Sequence, residues 1–375
     1  MDSLRRDLLT KSKLAVWSIV AVSLACIVFT IYTQLANIAP DGEGVLRYAN
    51  QPGESKKLTP KEHVRTPDQT FLTFPEWFLV HSPKEYADFL KAGNSPMEFP
   101  FFRHVGQFWQ SYRHVAPIAN HYFPYNSEYH VMIVVIGVST TIEYGLKGAY
   151  ETIIGRSFEK ISTSSPEDKY FARYAQEYVD FIDVEPWYKF DFISRLKTLW
   201  TEVPFGFTTF LRSLERRYLL TTELLIKAVY GWLIGLGSVA YFDASKPTTA
   251  VVVQDSPNLE KVAGSKIAWQ SLDESRFKMA LLPRYQGFTD ASLQLAKGGI
   301  DFVEIAGNRG VILVSAIVPV QWHSEGELSE LLFMQPIITK SEKKRVVLMS
   351  RVSDLSHVLR DLIAQGSVIE HVYDF

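Results

Sequence analysis

The chain has 375 residues, 47% of them hydrophobic and 21% charged, which is too apolar for a disordered chain and long enough for two or three folding units. Its 39 Lys and Arg against 41 Asp and Glu leave a formal charge of −2, so the basic excess of a nucleic-acid-binding protein is missing. The single cysteine, Cys26, excludes an intramolecular disulfide framework and any multi-cysteine zinc or iron–sulfur site.

The first predicted element is a membrane helix. Residues 1–13 carry Arg5, Arg6, Lys11 and Lys13, and the twenty residues that follow, LAVWSIVAVSLACIVFTIYT, hold no charge. At ~1.5 Å per residue they cover the hydrocarbon core. A helix over 14–36 is expected, its basic flank placing residues 1–13 in the cytoplasm of a bacterial-type inner membrane. The apolar run exceeds a signal-peptide core, and no small-residue cleavage site follows it.

Residues 37–130 then fall outside the cytoplasm. They open with a Gly/Pro-containing polar linker. Ser82 with Glu85 reads as a capping box, Pro83 as a first helical residue and Gly93 as a terminator, which predicts a helix over 83–92. The stretch 95–130 is rich in Phe, Tyr and Trp and is expected to form an aromatic collar at the membrane surface.

Two further segments have spanning length, 131–151 and 218–240, but each carries interior charges: Glu143 with Lys147, and Glu223 with Lys227. Arg156, Lys160, Arg212, Arg216 and Arg217 would share the inner side with the N-terminal basic residues, against Arg47 and Lys246 outside. This bias predicts three spans, with 152–217 cytoplasmic. Counted from the inner end of two antiparallel helices, Glu143 levels with Lys227 and Lys147 with Glu223. The charges would then neutralise each other across the helix interface, where an unpaired one is costly. Gly145, Gly148, Gly231 and Gly235 are the small residues expected to let these helices approach. The same i,i+4 spacing also suits an ordinary solvated helix face. Within 152–217, Ser165, Pro166 and Asp168 mark a helix start, and the stretch from Trp187 to Trp200 reads as an amphipathic helix lying on the inner leaflet or on a partner.

Residues 241–375 change to β-rich runs near 249–254, 277–285, 301–307, 310–318, 331–339, 345–352 and 368–375. Two helices fall between them, one closed by Gly298 and one capped at Ser353 and closed by Gly366. From 277 onward the order of strand, helix, strands, helix, strand is that of a ferredoxin-like α+β domain, extracytoplasmic in the three-span topology.

Chemistry is harder to find. Of nine histidines, five lie between His81 and His130; His104, His114, His121 and His130 are the candidate ligands for a metal or haem, with His114 and His121 the first choice. Their spacings match no metal-binding motif, and buried, hydrogen-bonded histidines are the ordinary alternative. No G-x-S-x-G, Walker A or strand-linked G-x-G-x-x-G occurs, so no catalytic residue is assigned and no cofactor is predicted. The expectation is a non-enzymatic accessory, assembly or structural subunit of a membrane complex. Its partners are the lipid bilayer and other membrane subunits or further copies of itself, with no nucleic acid. A metal- or haem-dependent membrane enzyme is the second reading. A transport or proton-coupling component using Glu143 and Glu223 is the third.

Overall fold

In the computed structural model, residues 57–66, 68–159, 165–206, 209–241, 248–263, 267–272, 276–324 and 327–374 are described. The expected first membrane helix, Cys26 and most of the linker lie outside these residues. The described chain comprises a helical unit followed by an α+β unit.

The helical unit contains α1 (Gln69–Glu76), α2 (Phe78–Lys91), α3 (Phe101–Tyr122) and α4 (Ser127–Tyr150). A π-helical turn, Glu151–Gly155, extends α4 toward Glu159. Then come α5 (Pro166–Ile182), α6 (Phe192–Thr201) and α7 (Phe210–Tyr241). Local chemistry sets several boundaries. Ser165 and Asp168 form a reciprocal capping box with Pro166 at the first helical position, which satisfies two otherwise orphaned amides. Asp191 caps α6 through the Ser194 amide. The helix expected from residue 83 begins at Phe78 instead, with Pro83 inside it. Packing of Phe78 and His81 on their neighbours overrides the local start signal.

Three membrane-spanning helices are not shown. The extension of α4 over Ser127–Glu159 is long and apolar enough to cross a membrane. The three-span topology, however, puts 37–130 and 152–217 on opposite sides of a bilayer, whereas the structure packs them together. Tyr86, Leu90, Phe99 and Phe101 share a core with Phe171, Tyr174, Val179 and Phe190. The aromatic collar is revised for the same reason. Phe99, Phe101, Phe108 and Tyr112 are buried among helices, while Phe102 and Tyr125 stay exposed. Rings that suit a membrane boundary suit a protein core equally well.

The α+β unit holds strands β1 (Thr248–Gln254), β2 (Gln270–Leu272), β3 (Phe277–Pro283) and β4 (Phe302–Ile305). Strands β5 (Val311–Pro319), β6 (Ser329–Pro336), β7 (Lys343–Arg351) and β8 (Val368–Tyr373) follow. Helix α8 (Leu259–Ala263) follows β1, α9 (Gln286–Lys297) precedes β4, and α10 (Leu355–Ala364) precedes β8. In place of a single ferredoxin-like sheet there are two four-stranded sheets, ordered β2-β3-β1-β4 and β6-β7-β5-β8. The chain follows one path twice: the first strand ends up inside the sheet, flanked by the third strand and by the fourth, which returns after a helix. Pairing is antiparallel throughout. Gly299 and Gly366, both at φ +73°, end the two returning helices in a conformation that costs other residues strain.

Strand β5 explains why its sequence lacks alternation. Ile312, Val314, Ala316 and Val318 face the core shared with α9 and α10. Val311 and Leu313 join Phe71, Phe74, Val115 and Ile118 of α1 and α3 on the opposite face. A sheet buried on both sides reads as a continuous apolar run. The two units are further stitched by Thr70, whose hydroxyl donates to the Tyr373 carbonyl and accepts from the Leu313 amide, both at 3.0 Å.

The π-turn after α4 is a packing requirement. Arg212 donates to the Gly155 carbonyl at 3.3 Å. A Cβ at Gly155 would overlap a carboxylate oxygen of Glu151 and lie 3.0 Å from Nη2 of Arg216. Gly155→Ala is therefore expected to lower stability by ~1–3 kcal/mol, read as a drop in the chemical-denaturation midpoint at unchanged slope.

Candidate functional site

Helices α4 and α7 are bridged by a ladder of opposite charges. Lys147 Nζ lies 2.9 Å from Glu223, and Lys227 Nζ lies 3.1 Å from Glu143 and 3.5 Å from Glu223. One further rung along, the Arg216 guanidinium grips Glu151 with two bonds of 2.7 Å and also binds Glu215. The rungs on α4, at 143, 147 and 151, are one helical turn apart and so lie on one face. Aromatic rings wrap the ammonium groups: Lys147 sits 4.8 Å from the Tyr86 ring and 4.7 Å from that of Phe171, and Lys227 sits 4.9 Å from Tyr178. Cation–π attraction offsets part of the lost hydration. Arg212 on Asp168 and Arg217 on Glu167 complete the network at the start of α7.

The expected glycine contacts do not form this interface. Gly148 faces Phe101 and Phe102, Gly231 and Gly235 face Tyr188, and Gly145 faces open space. Long side chains rather than apposed glycines span the gap between α4 and α7.

The outward faces of the same helices are apolar. Along α4, Val131, Val135, Ile142, Leu146 (67% exposed) and Ile153 are open. Along α7, Leu211, Leu214, Tyr218, Leu225, Val229 and Trp232 (63% exposed) are open, while Arg212, Glu215, Arg216 and Arg217 are buried. Lys147, Glu151, Glu223, Lys227 and the α7 arginines point inward while Glu143 is partly exposed, and most of the outward face is hydrocarbon, unlike a solvated surface helix.

A second polar cluster is buried where α2 and α3 meet β7 and β8. Arg345 on β7 binds both carboxylate oxygens of Glu370 on β8, at 2.5 and 2.8 Å, and Glu85 on α2 at 3.1 Å. His81 Nε2 stands 3.6 Å from Glu370, and His104 Nε2 stands 3.6 Å from Glu85. His104 Nδ1 shares a 2.9 Å hydrogen bond with Ser82, which shares another with Tyr144 of α4. His371 stacks on Trp77 with centroids 3.4 Å apart and hydrogen-bonds Thr289 at 3.1 Å. Nε2 of His81, His104 and His371 and Oε2 of Glu85 have no hydrogen-bond partner. Burial drives both His81 and His104 down to about 3, against the pull of Glu370 on the former and with the added push of Arg345 on the latter. Burial raises Glu85, although Arg345 opposes it. In Glu370, burial is overcome by Arg345 and His81, which hold it at about 2.

Ser82, His104 and Glu85 are the residue types of a nucleophilic relay. Ser82 is only 1% exposed and also bonded to Tyr144, so no substrate reaches its oxygen and the trio serves as a buried bridge. The candidate metal ligands do not converge. His104 is in this cluster; His130 bonds Tyr112 at 2.9 Å and stacks on Tyr125. His114 and His121 are exposed, His114 bonding the Leu332 carbonyl of β6 at 3.1 Å. Among the described residues no group of three or more His, Cys, Asp or Glu is arranged to hold a metal ion. Sequence reasoning missed Arg345 and Glu370, and their separation of 260 and 285 residues from Glu85 left no local signal. A small hollow between Trp322, Leu348, Val358 and Leu362 has a volume of about 20 Å³, room for a single water.

Comparison with protein-family models, with curated proteins and with solved structures returns no match.

The guanidinium fork matters more than its charge at the seam. Arg345→Lys keeps the charge but cannot hold Glu370 and Glu85 together, and a loss of about 2–3 kcal/mol is expected from the stranded buried carboxylate. Denaturant unfolding followed by tryptophan fluorescence measures it.

Proposed function

We propose that this protein is a membrane-bound, non-enzymatic accessory or structural subunit of a bacterial-type inner-membrane complex. Residues 14–36 supply an anchor, and the outer faces of α4 and α7 seat the helical unit in the bilayer interface. The α+β unit is carried off the membrane on the extracytoplasmic side as a surface for other subunits. The observation that carries this reading is the inverted polarity of α4 and α7, most of whose charges, the partly exposed Glu143 apart, are satisfied inside while a largely apolar face is left for lipid.

Seating in the plane fits better than crossing. The stripe from Val131 to Ile153 covers ~33 Å at 1.5 Å per residue, a length that serves either geometry. Helix α3, however, runs antiparallel beside α4, with Phe101 against Gly148 and Phe108 against Gly137. Arg103 and Arg113 of α3 are exposed. A crossing by α4 would drag those guanidinium groups into hydrocarbon at several kcal/mol each, whereas an interfacial helix pair buries one face only. Large apolar faces of this kind bind with an energy that scales with the area removed from water.

The test uses the full chain in membranes, with Cys26→Ser and single cysteines at Leu146, Ile153, Leu225 and Trp232 carrying a polarity-sensitive fluorophore. Blue-shifted emission, quenched from the lipid phase and shielded from aqueous iodide, is expected at all four. Emission as accessible to iodide as a label at exposed Lys84 would overturn the seating. Shielding without lipid-phase quenching would transfer the face to a protein partner.

A further inference from the structure

We propose that the seam between α2–α3 and β7–β8 is an acid-released latch, in which protonation of His81, His104 and His371 separates the α+β unit from the helical unit. The inference is independent of what covers the outer faces of α4 and α7, because it rests on the buried cluster alone.

The geometry assigns the latch to this seam. His81 and His104 come from the helical unit and His371 from β8, so each unit contributes imidazoles to the same boundary. All three rings are at least 96% buried, and each leaves Nε2 without a hydrogen-bond partner. The rings are packed against apolar or stacked neighbours: His371 on Trp77, and His104 on Phe99 with centroids 4.5 Å apart. A proton added to any of them in the closed seam is cut off from bulk solvent.

The surrounding charges add to this cost. From α2 the cluster is faced by Lys84 and Glu85, from α3 by Arg103, from β7 by Arg345, and from β8 by Glu370 and Tyr373. Arg284, before α9, acts on His371, and Lys340, before β7, acts on Glu85. Asp88 of α2 is occupied by Lys340 at 2.9 Å, and Tyr144 of α4 enters through Ser82. Arg345 engages both oxygens of Glu370 but only Oε1 of Glu85, whose Oε2 stands 3.6 Å from His104 Nε2. Arg345 is bonded inside the cluster by Glu85 and Glu370, while the cations at its edge face carboxylates of their own: Lys340 faces Asp88, Lys84 faces Asp183, and Arg284 faces Glu76 and Asp374.

The sign of the pH effect follows by linkage. A histidine released to water titrates near ~6.5, whereas His81 and His104 in the closed seam are held at about 3. Between those values the open state binds protons that the closed state refuses, so closure weakens as the pH falls through that window. Glu370, held at about 2, acts in the same direction at lower pH. Glu85, raised by burial, acts in the opposite direction, as do Glu76, Asp374 and Asp183, each also raised by burial.

Hydrogen exchange on the full chain in detergent micelles tests the latch, with rates corrected for the intrinsic pH dependence of exchange. Between pH 7 and pH 5, protection in α1 and α2 is expected to fall at least tenfold, while β1 and α10, which share the other core, keep theirs. In His104→Gln the fall should be several-fold shallower. A seam whose protection is unchanged between pH 7 and pH 5, or which loosens only together with β1 and α10, overturns the proposal. An equally steep fall in His104→Gln overturns the assignment to these rings. If that variant does not fold, the contrast between seam and core in the native sequence still decides.

Discussion

Charged side chains have been taken out of water between α4 and α7, and their mutual satisfaction is the constraint on which the helical unit depends. Placing Lys147, Glu223, Arg216 and Glu151 between helices would cost several kcal/mol for each ion left alone. The ladder avoids that by alternating sign from rung to rung and by enclosing the ammonium groups in aromatic rings. Once the charges are fixed inward, helical periodicity leaves the opposite faces to Val, Ile, Leu and Trp. The inward ladder and the outward apolar stripe are two consequences of one arrangement, and both require α4 and α7 to keep their rotation about their own axes.

The same principle recurs at the seam with a different result. Arg345 is shared by two carboxylates from opposite units, so it fastens the helical unit to sheet β6-β7-β5-β8. The imidazoles around it are left neutral and incompletely hydrogen-bonded. Each charge of the ladder has an oppositely charged partner. The seam holds unused proton-binding capacity, which makes it sensitive to its surroundings. A bridge of Tyr144, Ser82 and His104 joins the two clusters.

What could be read from the sequence was local. The capping box at Ser165 and Asp168, the strands from Thr248 onward and the two glycine-ended helices of the α+β unit are each set by a few neighbouring residues. The i,i+4 charge spacing within 131–151 and 218–240 is also local, and depth matching names the partners that lie together in the structure. Hydropathy could not distinguish a lipid-facing helix from a core helix, because both need an apolar stripe, and so the three-span topology put α2 and α5 on opposite sides. The order of the strands was equally hidden: whether β3, β4, β7 and β8 share one sheet or two depends on pairing across tens of residues. The seam joins residues hundreds of positions apart, and no spacing rule connects Glu85 to Arg345.

The measurement that bears most directly on the inward ladder is a double-mutant cycle on Lys147 and Glu223 in the full chain. Glu223→Gln, which strands the buried Lys147, should cost about 3–5 kcal/mol, and Lys147→Met, which leaves Glu223 only the longer contact to Lys227, should cost about 3 kcal/mol. Made together they should recover most of that loss, with a coupling energy above ~2 kcal/mol. Small single effects that simply add would mean that both charges are solvated, and would contradict a helix pair built with its charges inside.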